Sequence, residues 1–350
     1  MEWHRGHTIG HGASATVSTA TCRGGVFAVK SSELPRSKPL KKEQNILSSL
    51  SSPYVVAYKG CDITMENNKL LFNLFMEYMP FGTLAQATRR CDGGRLNELT
   101  IACYTRQIVE GLEYLHSKGL VHCDIKGANI LIGEYGAKIG DFGCAKSVED
   151  STAAIGGTPM FMAPEVARRE EQGCASDIWS LGCTMVEMAT GGTPWPIVAD
   201  PFSMLYHIAY SNEVPQIPSF LSKEAKDFLG KCLNRNPKER WRASELLKHP
   251  FIGKLCLNKE GLESNSSSPT SVLEQGFWSC VEESESFGNL VHTTFEISAA
   301  WRIRMLAVSS RVPCWGRHHD ENWITARSIR VEGFGNCGTG TTSTSRELSH

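Results

Sequence analysis

The stretch His122-Cys123-Asp124-Ile125-Lys126-Gly127-Ala128-Asn129 gathers an acid, a base and an amide in one short segment. Asp124 can orient or accept a hydroxyl proton. Lys126 can neutralise a transferring phosphoryl group, and Asn129 can offer a metal ion an oxygen. Further on, Asp141-Phe142-Gly143 adds a carboxylate suited to Mg²⁺ on a turn. Near the start, Gly10-His11-Gly12-Ala13-Ser14-Ala15-Thr16-Val17 sits between two strand-like stretches. Its glycines let the backbone approach a ligand, and backbone N–H groups can then hold phosphate oxygens. A dinucleotide-binding loop fits less well, because that motif leads into a helix and here a strand follows. Phe27-Ala28-Val29-Lys30 ends an apolar strand on one lysine, and Glu43 on the following helix offers a counter-charge that would aim the ammonium at phosphates. Each feature alone has a plain reading as a hairpin turn, a surface lysine or a polar loop. Their joint occurrence in one chain is what points to phosphate chemistry.

These residues need a scaffold, and the hydrophobic pattern supplies one. Thr16–Ala20 and Val26–Val29 flank Gly24-Gly25, which predicts a hairpin. A helix is expected around Leu40 to Leu50, with Ile46, Leu47 and Leu50 on one face, and a buried strand from Leu70 to Met79. From about Asn97 the spacing of Ile101, Tyr104, Ile108, Leu112 and Leu115 predicts one long helix ending near Lys118-Gly119. Later helices are expected near Ser176–Thr190, Ser203–Ser211 and Lys223–Leu233. The coarse picture is a small strand-rich lobe followed by a larger helical one.

The chain has 350 residues, 41% of them hydrophobic, which suits two lobes or one domain with an appendage and is enough for a large core. Lys plus Arg number 36 against 37 Asp plus Glu, so the balance gives no global reason to expect nucleic acid or an anionic membrane as partner. No run reaches the roughly 18 apolar residues of a membrane span. Met1-Glu2-Trp3-His4-Arg5 lacks the apolar core of a signal peptide, Glu2 excludes myristoylation, and Glu347-Leu348-Ser349-His350 carries no prenylation box. A soluble intracellular protein is expected, cytoplasmic with the nucleus as a second compartment. The 13 cysteines contain no C-x-x-C pair, against a structural zinc site or a disulfide scaffold. Near residue 257 the composition shifts to Ser264–Ser268, the acidic run Glu282, Glu283, Glu285, and a Gly/Thr/Ser segment from Gly333 to Ser345. Trp278, Trp301, Trp315 and Trp323 nevertheless lie there, consistent with short partner-binding motifs or with packing of the tail onto the domain.

Taken with Met160-Phe161-Met162-Ala163-Pro164-Glu165, Asp177-Ile178-Trp179-Ser180-Leu181-Gly182 and Arg240, residues 3 to about 251 resemble a eukaryotic protein kinase domain. The resemblance implies an α+β, bilobal protein kinase fold: a small antiparallel β-sheet lobe with one helix (about 1–79), then a larger, mainly helical lobe (about 80–256). Residues 257–350 would be a largely flexible tail. It also implies ATP and Mg²⁺. Ile9, Gly10, His11, Gly12, Ala13, Ser14, Ala15, Thr16 and Val17 would cover the nucleotide, and Val17, Ala28 and Leu131 would sandwich adenine. Met76 resembles the gatekeeper, and Glu77 to Met79 the hinge whose backbone would bond the adenine edge. Lys30 would hold the phosphates and Glu43 would hold Lys30. Asp124 would be the catalytic base with Lys126 beside it, and Asn129 and Asp141 would ligate magnesium. Glu165 would pair with Arg240.

Lys126 and Gly157-Thr158 look like Ser/Thr kinases rather than tyrosine kinases. Gly156 to Glu165 is similar to the MEKK-like mitogen-activated protein kinase kinase kinases. Asp141-Phe142-Gly143-Cys144-Ala145-Lys146, Arg240-Trp241-Arg242-Ala243 and Asp320-Glu321-Asn322-Trp323-Ile324-Thr325 resemble the small plant members. For those, the resemblance implies abscisic acid or stress signalling, with MAP kinase kinases as substrates and partners. Two departures stand out. The third loop glycine is Ala15, and the arginine usual before the catalytic Asp is Cys123. A thiol has no fork of donors, so it cannot receive an activation-segment phosphate as that arginine does. Cys123 and Cys144 read as packed thiols ahead of redox sensors, and Ser268-Pro269 reads as linker ahead of a feedback phosphosite. A scaffold without phosphotransfer is opposed by the presence of Lys30, Glu43, Asp124, Asn129 and Asp141 together. A Cys–His hydrolase is opposed by geometry, because neighbours in sequence rarely aim at each other.

Overall fold

The computed structural model describes residues 2–12, 15–150, 155–196 and 201–253. The tail features named above, from Ser264 to Ser345, lie outside the described residues, as do Ala13, Ser14, Ser151 and Thr152.

A five-stranded antiparallel sheet forms first: β1 (His4–His11), β2 (Thr16–Cys22), β3 (Gly25–Glu33), β4 (Tyr58–Glu66) and β5 (Lys69–Glu77), in the order β1-β2-β3-β5-β4. The β2–β3 hairpin turns on Arg23 and Gly24, with φ of 49° and 81°, and the β4–β5 hairpin on Asn67 and Asn68, with φ of 50° and 61°. Both are the positive-φ pairs that match the twist of the flanking strands. Between β3 and β4 runs α1 (Lys38–Ser48), which buries Leu40, Glu43 and Leu47. Burying a carboxylate among leucines costs stability unless it is paired.

The second lobe is mainly helical. It holds α2 (Leu84–Arg90), α3 (Glu98–Ser117), α4 (Pro164–Ala167), α5 (Cys174–Thr190), α6 (Pro201–Tyr210), α7 (Lys223–Cys232) and α8 (Ala243–Leu246). Asn97 caps α3 by accepting the Thr100 N–H, and Ile101, Tyr104, Ile108, Leu112 and Leu115 are all buried, the stripe their spacing predicted. α5 is buried almost throughout, with Trp179 inaccessible at its centre. A short hairpin, β7 (Ile130–Gly133) with β8 (Gly136–Ile139), and a two-stranded antiparallel pair, β6 (Leu120–Val121) with β9 (Lys146–Ser147), present the chemistry-bearing loops. Buried Arg240 grips Glu165 through Nη1–Oε1 at 2.6 Å and Nη2–Oε2 at 2.7 Å, locking the start of α4 to the chain before α8.

The predicted helices appear with ends shifted by only a few residues, as terminal fraying allows. The sequence reading did not anticipate β4 or α2. Along β4 half-buried and exposed positions alternate with no fully buried residue, so it carries no apolar run. α2 is only 7 residues long, too short to show a helical period, and stands on a capping box between Thr83 and Gln86.

Candidate active site

Lys30 projects from the middle of β3, its Cα in register with Val17 of β2 and Leu74 of β5. Its Nζ lies 2.8 Å from Glu43 Oε2 and 3.0 Å from Asp141 Oδ1. Thus α1, β3 and the turn after β8 converge on one ammonium. Burial works against the Lys30 charge, but Asp141 and Glu43 outweigh it and raise the Lys30 pKa. Burial raises the Glu43 carboxyl against the opposing pull of Lys30. At Asp141 desolvation also favours the neutral acid. There the Lys30 charge and hydrogen bond win and hold the carboxyl down at about 2. Asp141 is therefore ionised at neutral pH, with 48% of its side chain exposed.

The segment from His122 to Asn129 is held from below. The Asp177 carboxylate accepts the N–H groups of His122 and Cys123, each at 2.9 Å, and lies 3.0 Å from His116 Nε2. Those bonds support Cys123 at φ 69°, a left-handed conformation that costs a non-glycine residue about a kcal/mol or more. His122 turns its ring away from Cys123: Nε2 lies 3.0 Å from the Gly140 carbonyl and Nδ1 accepts the Asp124 N–H at 3.3 Å. Burial pushes the Cys123 thiol above the usual thiol range, which fits a packed thiol and not a nucleophile.

Asp124 then meets three partners. Lys126 Nζ donates to its Oδ2 at 2.9 Å, Thr158 Oγ1 donates to its Oδ1 at 2.7 Å, and Asn129 Nδ2 donates to its Oδ2 at 2.9 Å. Lys126 also donates to Thr158 Oγ1 at 2.5 Å, closing a ring of contacts between this loop and residue 158. Asn129 Nδ2 further donates to the Asp124 carbonyl at 2.8 Å, which leaves its amide oxygen directed elsewhere. The Asn129 carbonyl accepts the Gly140 N–H at 2.9 Å, so this loop and the Asp141 turn are adjacent.

Among the described residues no three His, Cys, Asp or Glu side chains gather into a metal cluster. One ionised carboxylate at Asp141 and one amide oxygen at Asn129 form a hard-oxygen pair. Such a pair suits Mg²⁺ when phosphate oxygens and water complete its shell, so these residues fit the ion.

Of the residues assigned to the nucleotide, Gly10 pairs with Val17 and His11 with Thr16 across β1–β2, and the Gly12 N–H donates to the Ala15 carbonyl at 2.8 Å. Ile9 is exposed. Ala28 and Met76 are register partners, with Ala28 buried and Met76 half-buried. Val17 and Leu131 are half-buried and Met79 is buried. The Glu77 side chain pairs with Lys138 of β8.

The sequence reading missed three supporting residues. Glu187 accepts the Gly127 N–H at 2.9 Å. Gln172, buried, donates to the Gly156 carbonyl at 2.9 Å and to the Cys123 carbonyl at 3.5 Å, and accepts the Gly156 N–H at 3.3 Å. Lys138 is the third. Each is a single polar residue, Glu187 in α5, Lys138 in β8 and Gln172 in the loop before α5, and no local pattern marks it. Gly157 completes the contact: at φ 119°, a Cβ there would lie 2.5 Å from the Cys123 carbonyl oxygen, so the segment needs glycine to pack this closely.

Comparison with known proteins agrees with this geometry. The family model described as "Protein kinase domain" matches residues 3–252. Mitogen-activated protein kinase kinase kinase 18 of Arabidopsis thaliana is 53% identical over 347 residues, covering 93% of this chain and 99% of its own. Mitogen-activated protein kinase kinase kinase 17 of the same plant is 52% identical over 297 residues, covering 81% of this chain and 78% of its own. Human mitogen-activated protein kinase kinase kinase 4 is 38% identical over 284 residues, covering 74% of this chain and 17% of its own.

Proposed function

Because the chain belongs to the protein kinase family, as a serine/threonine kinase of the MAP kinase kinase kinase type, we propose that it phosphorylates MAP kinase kinases in a stress or abscisic acid-type cascade. The supporting observation is the convergence in one cleft of Lys30, held by Glu43 and Asp141, with Asp124, held by Lys126, Asn129 and Thr158. Asp124 orients the substrate hydroxyl and takes its proton as the oxygen bonds the terminal phosphorus of ATP and the bond from that phosphorus to the departing ADP breaks. Lys126 offsets negative charge beside it, and Thr158 ties the segment that receives the substrate to Asp124. Lys30 and the loop from Ile9 to Val17 hold the phosphates, with Ala28, Met76, Glu77, Met79 and Leu131 around the base. Asn129 and Asp141 would hold magnesium, which when bound neutralises the phosphate oxygens.

No helix among the described residues is long and apolar enough to cross a membrane, in keeping with the cytoplasmic and nuclear location proposed here. Residues 1–256 are the catalytic unit in this reading, and 257–350 a tail beyond it. Purified full-length chain and a chain ending at residue 256 are both expected to phosphorylate a panel of MAP kinase kinases on serine or threonine. Incorporation into none of the panel by the full chain would sink the substrate proposal. A shortened chain that only aggregates would sink the boundary.

Cys123 gives a further expectation. Gln172 bonds the Gly156 end of the segment to the backbone of residue 123 without any phosphate. Changing Ser147, Ser151 and Thr152 together to Ala should keep turnover on a protein substrate within about threefold of the parent, and phosphatase treatment of the parent should do the same. Thr158 is kept in this test because its hydroxyl is part of the Asp124 contacts. Collapse of activity in both arms, reversed by rephosphorylating the parent, would show that a phosphate receptor exists elsewhere.

A further inference from the structure

Glu77 ends β5, where the chain leaves the sheet for the second lobe, and Lys138 lies in β8 of that lobe. Lys138 Nζ donates to Glu77 Oε1 at 2.7 Å and to Oε2 at 2.8 Å, with 17% and 27% of the two side chains exposed. Glu77 Oε2 also accepts the Ala57 N–H at 3.2 Å, and the Glu77 N–H donates to the Ala57 carbonyl at 2.9 Å. The same short segment is fastened on its other side. The Val56 N–H donates to the Ile139 carbonyl at 3.0 Å, and the Ile139 N–H donates to the Tyr54 carbonyl at 2.8 Å. Residues 54–57 are thus clipped between the end of β5 and β8. Behind them α3 leaves no slack, since a Cβ on Gly111 would lie 2.7 Å from Ile139 Cδ1 and 3.1 Å from the Tyr54 carbonyl oxygen.

We infer that Lys138 is a positioning residue for nucleotide binding, acting through the Glu77 carboxylate to set the angle at which the two lobes meet. One partner leads along the chain into Tyr78 and Met79, whose backbone borders the base site proposed above. The other leads through Ile139 and Gly140 into Asp141, which touches Lys30. The ion pair is the side-chain link between those two routes at the back of the cleft, and it coexists with the assembled Lys30, Glu43 and Asp141 contacts. Without it the backbone bonds to Ala57 and Ile139 remain, so the fold persists, but the lobe angle spreads over more states. A nucleotide must then select the productive one, which weakens apparent affinity in proportion to the population lost. Once the cleft is filled, the reacting groups are the same, so turnover at saturation changes little.

This inference rests on reading the cleft as an ATP site, and the test keeps the two apart. Full-length parent, Lys138→Met, Glu77→Gln, the double variant and Lys138→Arg are compared for KM for ATP, kcat at saturating ATP and thermal midpoint. Glu77→Gln keeps an oxygen for the Ala57 N–H and is the variant least prone to misfold. KM for ATP should rise about three- to tenfold in Lys138→Met and in Glu77→Gln, a size that a partly screened ion pair supports. The double variant should be no worse than either single, since both remove one interaction. kcat of Lys138→Met should stay within about twofold and Lys138→Arg should return KM to near the parent. Unchanged KM in a folded Glu77→Gln, additive effects in the double variant, or a fall in kcat at constant KM would each overturn the inference. A parent with neither ATP binding nor turnover would instead overturn the reading of the cleft.

Discussion

Asp124→Asn and Lys30→Met are each expected to lower phosphotransfer by about a thousandfold or more, with thermal midpoints within a few degrees of the parent. The two fail for different reasons. At residue 124 an amide is the size of the carboxylate but cannot take a proton. It also brings two donors to a site ringed by donors, namely Lys126, Asn129 and Thr158. The Asn oxygen would turn toward Lys126 and Asn129, and Thr158 would have to accept where it now donates. The ring of contacts therefore loosens without a cavity. Lys30→Met removes the charge shared by Glu43 and Asp141. Glu43 has 3% of its side chain exposed and its carboxyl is already raised by burial. Without the lysine it can bind a proton and stay neutral among apolar neighbours, which protects the fold. The check is incorporation of labelled phosphate into a MAP kinase kinase beside circular-dichroism melting. Near-normal incorporation by either well-folded variant would remove that residue from the proposed machinery.

Arg240→Ala carries the largest expected stability loss, about 3–5 kcal/mol. Its side chain is inaccessible and that of Glu165 only 4% exposed. Besides both Glu165 oxygens it donates to the carbonyls of Asn234 at 2.6 Å and Ala175 at 2.9 Å, and its guanidinium lies 5.1 Å from the centre of the Trp179 ring. Alanine would strand a buried carboxylate, orphan carbonyl oxygens and open space beside the largest buried ring. A melting temperature lower by about 10 °C is expected for a domain of this size. Arg240→Met with Glu165→Leu should cost less than Arg240→Ala alone, since no unpaired charge is left behind. A loss under about 1 kcal/mol in the single variant would mean that the pair is far better solvated than its burial implies.

Much of this was readable from the residues, for a physical reason. Lys30, Asp124, Asn129 and Asp141 sit in short segments whose chemistry is local, so type and spacing announce them. The stripe from Ile101 to Leu115 is long enough for its period to fix the helix. Glu43 was legible as the one acid on the helix that follows Lys30. Gln172, Glu187 and Lys138 were not, because each meets its partner across tens of residues and through backbone groups or a single charge. The edge strand β4 was hidden by its lack of any buried residue. Ion pairs and hydrogen bonds closed at long range leave no trace in local periodicity, and only the fold brings them into view.

Asp177 holds the loop by its main chain, gripping two N–H groups that any residue except proline possesses. The side chain at position 123 therefore bears none of that load. It must fit its buried surroundings and tolerate a left-handed backbone, as Cys123 does. A different side chain that fits there would leave the anchoring of the loop beneath Asp124 in place. In the function proposed above, the response to a segment phosphate and the proton transfer fall on adjacent residues, so a change at 123 can alter the first while sparing the second.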